Sequence, residues 1–188
     1  MKSVTQLPEG YREILQVDLQ KNKKLALLVN GLSLLIAVPA VLLGLWLVPI
    51  QTVFLGPTPY LIKCLVFLVG VIAYMILHEL VHGVCMKYFC KAEVHYGYTG
   101  LYAYVGSPAY FDKRSYIIIA LAPVVLWGIV LLVLSCVVDS AWFWCVYLIQ
   151  ICNLSGAAGD IYVTYKFSKL PKDILVQDAG VSMKVYCK

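Results

Sequence analysis

The chain has 188 residues, of which 62% are hydrophobic and only 13% charged, with a mean hydropathy of +0.84; a soluble domain of this length is far more polar. The formal net charge of +5 is not a nucleic-acid footprint, because no dense basic stripe carries interleaved stacking aromatics. Seven cysteines without a CxxC pair give no disulfide framework.

The first 24 residues, "MKSVTQLPEGYREILQVDLQKNKK", are polar and of mixed charge, unlike a cleaved signal peptide. They are expected to form a cytosolic segment in which "YREILQVDLQ" supplies an edge strand or a short amphipathic helix. Four apolar runs follow, at about residues 25–48, 61–88, 116–138 and 141–165. Each meets the roughly 20-residue requirement for a helix crossing ~30 Å of hydrocarbon. Pro39 and Pro123 lie inside spans and are expected to kink them, which a bundle tolerates. "DSA" joins the last two spans as a tight hairpin.

Basic residues set the orientation. Arg12, Lys21, Lys23 and Lys24 precede the first span; Lys87, Lys91, Lys113 and Arg114 lie between the second and third; Lys166, Lys169, Lys172, Lys184 and Lys188 follow the fourth. Lys63, at the edge of the second span, is the exception. Both termini and the second loop are therefore expected in the cytosol of a multi-pass cell-membrane protein. In that loop, "AEVHYGYTGLYAYVGSPAYF" (Ala92 to Phe111) has tyrosine, valine and spaced glycines, the pattern of two or three short strands turning near Gly97, Gly100 and Gly106. The tail after Tyr165 is polar, with Pro171 ending any helix. The expected fold is thus a mainly α membrane protein: four transmembrane helices with a short strand-rich cytosolic loop between helices 2 and 3. It is organised as one integral membrane domain (cytosolic segment 1–24, four-span core 25–165, cytosolic tail 166–188).

The second span ends in "ILHELVHG". Ionisable groups inside a membrane are costly and need partners. His78 and His82 are four residues apart, so on a helix both imidazoles point the same way, the geometry of two nitrogen ligands of one zinc ion. Glu79 stands to one side, where its carboxylate can take a proton from the water such a site activates. The plainer reading is an interface cluster near a helix end. Against it, the chain has three histidines, and two of them stand at ligand spacing with the glutamate in place.

A catalytic zinc usually takes a third protein ligand. His78 and His82 lie nine and five residues before Lys87, about 14 and about 8 Å below that border at 1.5 Å per residue. Asp160 lies six residues before Lys166, about 9 Å deep on a span running to the same border. It is the expected third ligand, with a helix-end charge beside Lys166 as the plainer alternative. Asn153, Gly156 and Asp160, spaced i, i+3, i+7, are expected to share a face, and Gly156, Ala157 and Gly159 allow close helix approach. Asn153 is a candidate catalytic residue, hydrogen-bonding substrate or a tetrahedral oxyanion, or else an interhelical hydrogen bond. Glu93, His95 and Asp112 are rival ligands in the loop. Asp139 belongs to the opposite membrane face, and Cys85 reads as filler.

These residues resemble site-2-protease-type intramembrane zinc metalloproteases, which carry H-E-x-x-H on one transmembrane helix and an aspartate ligand on a later one. Here the aspartate follows "NLSGAAG" rather than a short N-P-D-G-like sequence. Most of the chain, through "LPEGYREI", "HELVHG", "YIIIALAP", "NLSGAAGDI" and "LPKDILVQD", is similar to a family of small bacterial membrane proteins known as "putative zincin peptidases". The resemblance implies a peptidase. Residues and resemblance together lead to an intramembrane zinc metallopeptidase acting on a peptide or membrane-protein substrate near the cytosolic leaflet. Zn²⁺ is expected on His78, His82 and Asp160, with Glu79 as general base. A non-proteolytic zinc-binding scaffold or sensor, or a zinc hydrolase of a lipid-like substrate, stands as the alternative.

Overall fold

The computed structural model describes residues 3–100 and 103–188. The chain is mainly helical, in the order β1 (Arg12–Asp18), α1 (Lys23–Leu47), α2 (Tyr60–Phe89), β2 (His95–Tyr98), β3 (Ala103–Gly106), β4 (Tyr110–Asp112), α3 (Lys113–Val137), α4 (Ser140–Gly156), α5 (Ala158–Ser168), β5 (Leu175–Asp178) and β6 (Ser182–Cys187). Among the described residues, four helical stretches are long and apolar enough to cross a membrane: Lys23–Leu47, Tyr60–Phe89, Lys113–Val137 and Ser140–Ser168. Polar side chains start several helices. Asn22 Oδ1 accepts from Leu25 N at 3.1 Å, Asp112 Oδ1 from Ser115 N at 3.2 Å, and Asp139 Oδ1 from Ala141 N at 2.8 Å. Each satisfies a donor that the first turn leaves without an intrahelical partner.

The chain forms two compact units. The first comprises Met1–Val29, His78–Pro123 and Gly159–Lys188. Its centre is an antiparallel sheet in the order β1-β6-β5-β4, so "YREILQVDLQ" forms an edge strand. The tail is not merely polar chain beyond Pro171, as its sequence suggests. "LVQD" and "SMKVYC" form the β5–β6 hairpin, with Leu175 opposite Tyr186 and Asp178 opposite Met183. Gly180, at φ +86°, makes the turn, a backbone region closed to most side chains. β6 then pairs with β1 and β5 with β4. Phe111, Ile174, Val176 and Val185 are fully enclosed, packed with Tyr116, Ile119, Met86 and Phe167. The loop after α2 also carries the expected strands: β2 and β3 pair from His95 opposite Gly106 to Tyr98 opposite Ala103.

The second unit comprises Asn30–Leu77 and Val124–Ala158. Gly44 of α1 lies against Tyr147 and Trp144 of α4, where any Cβ would collide with the tyrosine ring. Tyr147 donates to Ala40 O at 2.8 Å, and its ring stacks on Phe143 at 4.9 Å between centroids. Lys63 is 1% exposed. Its Nζ donates to Val53 O at 2.8 Å and Leu55 O at 2.6 Å, holding the α1–α2 connection rather than marking a cytosolic border. Gln150 Nε2 donates to Gly128 O at 3.1 Å and Asn153 Nδ2 to Val124 O at 3.2 Å, the ladder of an antiparallel α3–α4 hairpin.

The fourth span is not one uninterrupted helix. It breaks at Ala157, whose ψ of 11° ends α4, and α5 begins at Ala158. Gly156 is exposed while Asn153 is fully buried, so Gly156 does not share the buried face of Asn153.

Candidate metal centre

The α2 helix places His78 and His82 one turn apart on one face, with ring centroids 4.9 Å apart. The break at Ala157 places Asp160 in the first turn of α5, where free N–H groups and the helix dipole favour a carboxylate. Asp160 Oδ2 lies 3.5 Å from His78 Nε2 and 3.7 Å from His82 Nε2. One ligand atom from each of the three residues lies within 4.8 Å of the others. Both histidines are buried, at 9% and 8% exposure, and Asp160 is half-buried.

This donor set fits zinc. Tetrahedral coordination with bonds of roughly 2.0–2.2 Å sets ligand atoms about 3.4 Å apart, close to both histidine–aspartate distances. The hydrogen bond at the far side of His82 agrees. Its Nδ1 lies 2.8 Å from Ile119 O. A carbonyl only accepts, so Nδ1 carries the proton and the Nε2 lone pair is left for a metal.

Glu79 follows His78 and is partly buried. Gly83 follows His82, and a Cβ there would collide with the Tyr96 hydroxyl. That missing side chain lets β2 lie against the helix turn that carries the histidines.

The remaining candidates fall elsewhere. Asp112 caps α3, with Oδ2 also accepting from Ser115 Oγ at 2.8 Å, and Asp139 caps α4. His95 and Glu93 face each other across 3.8 Å on an exposed surface. Asn153 belongs to the second unit. Its Oδ1 accepts from Tyr74 OH at 3.1 Å, and Nδ2 donates to Val124 O at 3.2 Å and Gln150 Oε1 at 3.4 Å. Its amide thus takes up the interhelical role, toward Tyr74 of α2 and Val124 of α3.

Sequence reasoning missed Asp178. It is 6% exposed; Oδ2 accepts from Tyr116 OH at 2.7 Å and Oδ1 from Gly180 N at 2.8 Å. Burial pushes its carboxyl above the usual carboxylate range, and these two hydrogen bonds and His82 oppose the shift. The one available signal was an aspartate two residues before a glycine, "DAG", the pattern of an Asx-turn.

Two imidazoles and a carboxylate at zinc spacing, on helices long and apolar enough to cross a membrane, make a group that could hold a metal ion. A family profile described as "Putative zincin peptidase" matches residues 71–175, more than half of the chain, and the chain belongs to that family. No curated protein and no solved structure matches the chain.

Proposed function

We propose that this protein is a zinc metallopeptidase that hydrolyses a peptide bond of a membrane-associated substrate near the cytosolic leaflet. The observation that carries the reading is the convergence of His78 Nε2, His82 Nε2 and Asp160 Oδ2, with Glu79 beside them on α2. These three side chains would hold zinc. The metal, when bound, supplies a Lewis acid that polarises a carbonyl and lowers the pKa of water to about 7. The carboxylate of Glu79 takes the proton from the attacking water and returns it to the leaving amine nitrogen. The Nδ1–H of His82, held by Ile119 O, keeps that imidazole oriented while the proton moves.

The resemblance to site-2-type proteases and the family's name support hydrolysis of a peptide bond over the scaffold and lipid-hydrolase alternatives. The distribution of lysine and arginine supports cytosolic termini. The outer edge of β2 pairs with no other strand among the described residues, and an extended substrate can add there as a further strand. The test uses full-length protein in liposomes with a panel of tagged single-span membrane proteins. Wild type and Glu79→Gln both retain about one zinc per chain, and only wild type cleaves. A Glu79→Gln variant that cleaves as fast as wild type overturns the mechanism.

A further inference from the structure

A backbone carbonyl holds His82, and α3 does not leave carbonyls free by default. In an α-helix the C=O of residue 119 accepts from the N–H of residue 123. Residue 123 is proline, inside α3. Proline has no N–H, and its ring crowds the carbonyl four residues back. That carbonyl is Ile119 O, the group 2.8 Å from His82 Nδ1. Ile119 is 1% exposed and His82 8% exposed, so water is a poor substitute partner. A backbone carbonyl in a span must be satisfied within the protein.

We infer that Pro123 is a positioning residue for the metal centre: by deleting one helical donor it reserves Ile119 O for His82 Nδ1–H, and so fixes the tautomer that offers Nε2 to the metal. The metal part of this inference rests on the proposed zinc site; the tautomer part does not. Tyr116, one turn before Ile119 on α3, hydrogen-bonds Asp178 of β5 at 2.7 Å. The sheet therefore anchors the same helix segment that presents the carbonyl. With alanine at position 123, the restored N–H competes for Ile119 O, and His82 loses its fixed partner.

The experiment has two readouts on the full-length protein in detergent. Histidine ¹⁵N shifts of the metal-free protein, recorded at alkaline pH where the imidazole beside Asp160 is neutral, report the His82 tautomer, with His82→Gln for assignment. Competition against a chelating dye reports zinc affinity. Wild type is expected in the Nδ1–H form. Pro123→Ala is expected to mix the two tautomers and to weaken zinc binding roughly 10–100-fold, the usual effect of removing a partner behind a ligating histidine. Pro39→Ala, in α1, is the control for loss of a helix proline. A variant with lactic acid at position 123 lacks both the ring and the N–H. It is expected to keep the wild-type tautomer and affinity, and it decides the matter if Pro123→Ala does not fold.

A folded Pro123→Ala protein with wild-type tautomer and affinity overturns the inference, as does a lactic acid variant that loses them. A wild-type protein that binds no zinc overturns the peptidase reading instead, and the tautomer comparison still decides the role of Pro123.

Discussion

The two units are held together by different forces. In the first, side chains from the β1-β6-β5-β4 sheet and from helix ends enclose one another: Phe111, Ile174, Val176 and Val185 are fully buried. That is a core of the kind the hydrophobic effect assembles. In the second, α1 and the start of α2 expose leucine, isoleucine and valine along most of their length. Lipid is as apolar as those side chains, so burying them gains little. Close approach at a small residue, as at Gly44, and hydrogen bonds such as Tyr74–Asn153 and Gln150–Gly128 hold the helices instead. The candidate metal-ligand set, His78, His82 and Asp160, belongs to the unit with the enclosed core. Ligating groups must be held to within a fraction of an ångström, and a packed core does this better than sparse helix contacts.

The comparison breaks most visibly at the ligands. Asp160→Ala and His82→Ala are each expected to reduce zinc from about one per chain to a trace, by elemental analysis of purified protein, and to abolish cleavage. Zinc retained by Asp160→Ala would remove the aspartate from the site.

Tyr116→Phe tests the enclosed core next. It leaves Asp178 buried with one hydrogen bond fewer, a loss of about 1–3 kcal/mol, read as a lower thermal midpoint. Asp178 also gives the first unit a pH signature. Its carboxyl is raised in the folded protein, so the folded state binds more protons than the unfolded one between the ordinary aspartate value of about 3.9 and the raised value. The penalty for burying the charge is complete above the raised value and is relieved as pH falls through the window. Wild type should therefore gain stability relative to Asp178→Asn on acidification; a constant difference would contradict the burial argument.

In the second unit, Asn153→Leu removes two interhelical hydrogen bonds, to Tyr74 and Val124, and one within α4, to Gln150. Interhelical bonds in membranes average about 0.6 kcal/mol and seldom exceed about 2, so the midpoint should fall slightly and zinc content should not change. A loss of zinc would contradict the purely interhelical role of Asn153. The smallest effect is expected at the exposed pair of Lys184 and Glu13, 3.1 Å apart across β6 and β1. Lys184→Ala should shift the midpoint marginally, and the shift should vanish in high salt.

His78, His82 and Glu79 were legible as a group because their relation is local. Four residues make one helical turn, and "HELVH" needs no other part of the chain to place its two imidazoles together. Asp160 was reachable because Lys87 and Lys166 give both helices a common reference and the rise per residue is constant. The break at Ala157 was not legible, since "SGAAG" reads equally as close helix packing. The tail strands were missed because β6 pairs with β1 about 170 residues away, and a short alternating run does not name its partner.

Composition and the spacing of "HELVH" thus determined by themselves the long apolar helices and the imidazole side of the candidate metal centre, because each depends on neighbours in sequence. Tertiary structure decided the rest: which carboxylate meets the imidazoles, that Asn153 ties helices together, and that Asp178 lies buried behind Tyr116. It also decided which atom holds His82. Pro123 announces that a carbonyl four residues earlier will lack its helical donor, but a backbone oxygen has no letter of its own. Only the packing of α2 against α3 shows what it accepts.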